Sequence, residues 1–110
     1  MNLKENKCVA CEGGVPKMTA EEISARVGEI PGWQVVENHH LIREFKFKNF
    51  KEALVFVNQV GEIAESEGHH PDIELSWGRV KIKLFTHAID GLFLNDFILA
   101  AKINKIFSNS

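Results

Sequence analysis

Apolar and polar residues along this chain repeat in two periods, and the changes of period mark out its elements. Thr19 opens the first helical stretch. Thr19 and Glu22 have the T-x-x-E spacing of a capping box, in which each side chain satisfies a free backbone N–H of the first turn. Ile23, Val27 and Ile30 follow at helical spacing, and Pro31-Gly32 stops the run. Trp33 to Val36 and His39 to Phe47 read as two strands around a short turn at Glu37-Asn38. Leu41, Phe45 and Phe47 share one strand face, with Arg43 intruding on the same parity. Asn49 to Glu67 is the clearest helix. Asn49 and Glu52 again have capping-box spacing, and Phe50, Ala53, Leu54, Val57, Val60 and Ala64 make the expected buried stripe. Gly68 is placed to end that helix in the left-handed conformation.

Asp72 to Ser76 and Arg79 to Phe85 alternate strictly and meet at Trp77-Gly78. A two-residue loop there sets Leu75 opposite Val80 and Ile73 opposite Ile82. The same register sets Glu74 opposite Lys81 and Asp72 opposite Lys83, so one register satisfies both faces. Arg79, Lys81 and Lys83 then read as solvent partners of acidic residues rather than as a phosphate site. A last helix runs from about Leu94 to Phe107, with Leu99, Ile103 and Ile106 inward. The order helix, strand, strand, helix, strand, strand, helix predicts an α+β fold: a four-stranded antiparallel sheet with three helices packed on one face.

Composition narrows the function classes. The 110 residues suit one domain, here 19–110 after a leader at 1–18. A net charge of -2 lacks the basic excess of a nucleic-acid binder, so no nucleic-acid partner is expected. No apolar run approaches the length of about 18 residues that spans a bilayer. The polar start, Met1 to Lys7, has no signal-peptide core, so no membrane association and a cytoplasmic location are expected. Cys8 and Cys11 form a lone C-x-x-C, which cannot complete a four-ligand zinc site without partners. It also lacks the strand-then-helix setting of a redox pair, and reads as a loop with reduced thiols.

Five histidines occur. His39 and His40 begin a strand beside a turn and read as surface residues. The others fall where elements end. Glu65 lies in the last turn of the long helix, His69 and His70 lie just past it, and Pro71 fixes the chain entering the next strand. In the hairpin register Pro71 lies opposite Leu84, which brings His69 and His87 to one end of the sheet. Asp96 falls in the first turn of the last helix, where the helix dipole favours a carboxylate. Imidazoles and carboxylates at one sheet edge suit proton transfer near neutral pH. Taken singly, each of these residues reads as an ordinary surface or helix-end group. No H-x-H, H-x-x-x-H or H-E-x-x-H spacing sets two histidines on one helix face, so no metal is expected.

Together the array E-x-x-x-H-H-P, five residues, an aromatic, nine residues, a histidine and then an aspartate resembles the signature of the pterin-4a-carbinolamine dehydratases. Here it reads Glu65, His69, His70, Pro71, Trp77, His87 and Asp96. Pro31-Gly32-Trp33, the F-x-F before the long helix, Gly91-Leu92 and the segment from Phe97 to Ile103 match as well, so the resemblance covers about residues 16–107. Family members usually carry Ser or Thr after the Gly-Leu as the cap of the last helix, and Phe93 stands there instead. The resemblance implies a lyase that dehydrates 4a-hydroxytetrahydropterin to quinonoid dihydropterin, recycling the pterin of aromatic amino acid hydroxylases without any cofactor. It implies His69 and His87 as the acid–base pair and His70 as a pterin-binding residue that shares in proton transfer. Glu65 would orient a histidine, Trp77 would wall the pocket and Asp96 would set the polarity around His87. It further implies a homodimer or homotetramer. The alternative it carries is a non-catalytic dimerisation cofactor of a transcription factor.

Overall fold

The computed structural model describes residues 17–108. Cys8 and Cys11, and with them the expected loop of reduced thiols, lie outside the described residues. Helix α1 (Ala20–Val27) is followed by strands β1 (Gln34–Val36) and β2 (His40–Lys46). Helix α2 (Phe50–Glu67), strands β3 (Asp72–Ser76) and β4 (Arg79–Leu84), a 3-10 turn (His87–Ile89) and helix α3 (Leu94–Ser108) complete the order. This is the predicted α+β arrangement. The sheet is antiparallel throughout, in the order β1-β2-β4-β3. Among the described residues no helix is long and apolar enough to cross a membrane.

The β3–β4 register is the one that the alternation demands: Leu75 pairs with Val80, Ile73 with Ile82, Glu74 with Lys81 and Asp72 with Lys83. Lys81 also faces Glu44 across β2. The helix-side face of β4, Val80, Ile82 and Leu84, is wholly buried. Burying each such side chain stabilises the fold by about 1.5–3 kcal/mol. Arg43, on the core-side parity of β2, is accommodated because its charge is satisfied from every side. It donates to Asn104 Oδ1 at 2.6 Å and to Pro31 O at 3.1 Å, and its guanidinium lies 4.4 Å from the Phe45 ring centre. Trp33 Nε1 donates to the same Asn104 oxygen at 2.7 Å. Gly32 (φ 89) lies against the guanidinium, where a Cβ would meet Arg43 at 2.6 Å. The Pro31-Gly32-Trp33 turn is thereby locked onto α3.

Two expectations shift. The α1 helix ends at Val27 rather than running to Ile30. Beyond it the chain tightens into successive turns, with Glu29 N–H bonding Arg26 O and Ile30 N–H bonding Val27 O, and Ile30 is buried from a turn instead. On α2 the inward stripe is Ala53, Phe56, Val60 and Ala64, whereas Phe50 and Leu54 are exposed. Several stripes of this helix are apolar. The one carrying Phe56 wins because its ring packs on Phe45 at 4.8 Å and on Phe47 at 5.0 Å, and an aromatic ring buries more area than Leu54 does. Both capping signals are realised. Thr19 and Glu22 form the full box, and Asn49 Oδ1 accepts from Glu52 N–H. The strand ends lie within a residue or two of expectation. In the β1–β2 turn Glu37 and Asn38 both adopt φ 54, and His39 completes the loop.

Candidate active site

The C-terminus of α2 aims the first histidine. Gly68 (φ 65) takes the left-handed conformation that a side chain resists. Its N–H bonds Glu65 O, and the next N–H, that of His69, bonds Ala64 O. This pair of bonds defines a Schellman turn, which ends the helix and fixes the exit of the chain. The Lys102 ammonium, 3.5 Å from Glu67 Oε2, ties the same helix end to α3.

His69 Nε2 lies 2.6 Å from Asp96 Oδ1. Asp96 is fully buried, and its other oxygen accepts from the Thr86 hydroxyl at 2.8 Å and from Phe93 N–H at 3.0 Å. The bond to Phe93 resolves the missing Ser or Thr. Asp96 occupies the third position of α3 and reaches back to the N–H at the helix start, the half of a capping box that needs no hydroxyl. An ionised carboxylate only accepts, so Nε2 of His69 carries the proton between them and Nδ1 keeps its lone pair. A buried carboxylate behind an imidazole is an arrangement that holds one tautomer and meets the charge of the protonated ring.

His87 opens the 3-10 turn in the loop that follows β4. The Thr86–Gly91 bridge closes that loop at its base. A cleft of about 400 Å³ separates the two segments, and His69, His70, Pro71, Thr86, His87 and Asn95 line it. His69, His70 and His87 thus line one cavity, His69 and His87 meeting as the hairpin register requires. His70 sits at its exposed rim, with Nε2 2.8 Å from Glu65 Oε2. Glu65 thus contacts His70, and Asp96 contacts His69 rather than the expected His87.

Trp77 stands apart. It forms the tip of the β3–β4 hairpin, about 20 Å along the strand from Pro71 at roughly 3.3 Å per residue, and is 69% exposed. The structure does not bring it to this chain's cleft. Two lining residues escaped the sequence reading, Thr86 and Asn95. Asn95, a second polar residue beside Asp96 just before the apolar run Phe97 to Ala101, was the legible signal.

The histidines set aside as surface residues are not isolated. His39 Nε2 bonds Asp90 Oδ1 at 2.8 Å, and its Nδ1 lies 3.1 Å from His40 Nδ1. The bond from His39 holds the Asp90 carboxyl below its ordinary value of 3.8. Burial, with the charges of Lys83 and His39, lowers His40 below 6.5 against an opposing pull from Glu37. A larger groove of about 850 Å³ lies among Lys46, Lys51, Phe56 and Phe107, but no histidine lines it. Among the described residues no three histidine, cysteine or acidic side chains converge to hold a metal ion.

Residues 16–106 match the model of the family described as Pterin 4 alpha carbinolamine dehydratase. A protein described as a putative pterin-4-alpha-carbinolamine dehydratase from Rubrobacter xylanophilus is 54% identical over 104 residues, covering 94% of this chain and 97% of that one. Another so described, from Alkaliphilus metalliredigens, is 55% identical over 105 residues, covering 94% and 95%. The crystal structure of a transcriptional coactivator/pterin dehydratase from Brucella melitensis superposes with a TM-score of 0.78 at 34% identity, covering 83% of this chain and 98% of that one. A pterin dehydratase-like RuBisCO assembly factor of the alpha-carboxysome shares the fold at a TM-score of 0.62 and 21% identity, covering 72% and 93%.

Proposed function

The chain belongs to the pterin 4 alpha carbinolamine dehydratase family, and from that membership we propose that it dehydrates 4a-hydroxytetrahydropterin to quinonoid dihydropterin, recycling the pterin of an aromatic amino acid hydroxylase in the cytoplasm. The observation that carries this reading is the carboxylate-backed imidazole of His69 facing the same small cleft as His87. In the reaction a base takes the N5 proton, and the N5–H electron pair becomes the C4a=N5 double bond. The C4a–O bond breaks, and its oxygen leaves as water with a proton from the acid. His69 takes the N5 proton at Nδ1, since Asp96 holds the proton of Nε2 and meets the resulting positive charge. His87 protonates the leaving hydroxyl. His70, steadied by Glu65, and Asn95 hold the pterin, and Pro71 sets the strand that carries the histidine pair. The chemistry needs neither a metal nor a cofactor.

The test is turnover of chemically generated 4a-hydroxytetrahydropterin with the uncatalysed rate subtracted. A rate no greater than background would overturn the reading. One observation favours a second reading, a non-catalytic dimerisation module. Phe50, Leu54 and Val55 of α2 are exposed, and the Brucella relative is described as a transcriptional coactivator. A module of that kind has no use for Glu65, His69, His70 and His87 gathered at one end of the sheet, so turnover decides between the two.

Assembly follows from either reading. Strands β1 and β3 are sheet edges, and the α2 face is apolar, so a second copy has both polar and apolar surface to cover. A homodimer or homotetramer is expected. Sedimentation at micromolar concentration should report a multiple of the 12.4 kDa chain mass, and a mass equal to one chain would refute assembly.

A further inference from the structure

His87 lies on an exposed loop, yet acid–base chemistry needs its ring held in one orientation. A column of three aromatic rings supplies that hold. Phe85 follows β4 directly, and strand alternation points it away from the helix side on which Val80, Ile82 and Leu84 are buried. Its ring centre is 4.1 Å from that of His87, with the planes tilted by 30°. The His39 ring also lies 4.8 Å from that of Phe85, tilted by 37°. Both are close, tilted ring contacts, the His39 pair within the usual spacing of aromatic pairs and the His87 pair closer still.

The column is anchored at its far end. The His39 ring is fixed by its 2.8 Å bond to Asp90. Asp90 is in turn part of the His87 loop, because its N–H bonds His87 O. The loop therefore grips the ring that grips Phe85, and the β1–β2 turn is tied into the placement of His87.

We propose that Phe85 and His39 are positioning residues for His87: the stacked column, closed by the His39–Asp90 bond, holds the His87 imidazole in a single orientation against the cleft. The catalytic value of this hold rests on the dehydratase reading, but the hold itself does not. Without the stack, His87 can sample three staggered χ1 wells, so the productive fraction falls to about a third, and looser placement adds to the loss.

The experiment uses the full chain and two readouts. In nuclear magnetic resonance spectra the His87 ring protons, assigned by their absence in His87→Gln, should be shifted by the Phe85 ring current. Phe85→Leu should abolish that shift, Phe85→Tyr should preserve it, and His39→Leu should reduce it. In turnover, Phe85→Leu should lower kcat by about three- to tenfold with KM within twofold, and Phe85→Tyr should restore it. His87 resonances unchanged in Phe85→Leu would overturn the proposal. So would a raised KM with unchanged kcat, which would make Phe85 a substrate contact. If the wild type fails to turn over the pterin while the Phe85-dependent shift is present, the dehydratase reading falls and the hold on His87 stands. Should Phe85→Leu fold poorly, His39→Leu keeps the proposal falsifiable, because an undiminished His87 shift there would also overturn it.

Discussion

Alanine at His69 or at His87 is expected to lower kcat for 4a-hydroxypterin dehydration by about 10²–10⁴, the range for removing one positioned acid or base. The two losses should not multiply. In the proposed reaction both groups act on one bound pterin in a single cleft, and once the N5 base is gone the leaving-group acid has less developing charge to assist. The double variant should therefore sit close to the more damaged single variant. Folding should survive, since neither ring belongs to the apolar core. His70→Ala should act differently. The His70–Glu65 pair lies at the exposed rim, so its loss should raise KM more than it lowers kcat. His40→Ala is the appropriate control. His39→Ala is not, because that ring stacks on Phe85 beside His87. The measurement is stopped-flow turnover with the spontaneous dehydration subtracted. Wild-type turnover in the double variant would end the catalytic assignment and leave the interaction module as the better account of the fold.

The parts of this molecule that could be read in advance are those governed by local rules. The β3–β4 register was legible because two independent patterns, apolar pairing and charge pairing, agree on one alignment. The helix starts at Thr19 and Asn49 were legible because a cap is decided within four residues. What escaped needs three dimensions. Arg43 breaks the inward pattern of β2, and only the convergence of Asn104, Pro31 and two phenylalanine rings explains why it is tolerated. The α2 stripe is displaced onto Phe56 because several of its faces are apolar and the core chooses among them. In the site, the approach of His69 and His87 could be read from register alone, whereas alternation on an extended chain points His69 and His70 apart unless Pro71 bends the path. The partner of Asp96 could not be read this way, because the turn at Gly68 sets where His69 points. Trp77 belongs to the array through spacing, and the hairpin carries it to the far end of the strand.

Asp96 carries the other large effect, and two substitutions separate its structural work from its chemical work. Asp96→Ala removes the only acceptor that the described residues give the Thr86 hydroxyl and the His69 Nε2–H, together with the bond to Phe93 N–H at the start of α3. Each buried donor left unsatisfied costs about 1–3 kcal/mol, and the substitution strands three. The losses overlap, so a total of about 3–5 kcal/mol is expected, lowering Tm by more than about 10 °C in a chain of this size. Asp96→Asn keeps the volume and one accepting oxygen. That oxygen can serve Thr86 and Phe93, while the amide NH2 turns to His69. A donor facing Nε2 forces the ring proton to Nδ1, the atom proposed to take the N5 proton. The fold should therefore lose less than half of what Asp96→Ala loses, whereas kcat should fall by about 10²–10⁴, as it does for His69→Ala. Calorimetry on both variants, with turnover on the asparagine variant, measures the two effects separately. Near-wild-type kcat in Asp96→Asn would show that the tautomer of His69 is not what Asp96 supplies. The carboxylate would then be a helix cap that happens to touch an imidazole.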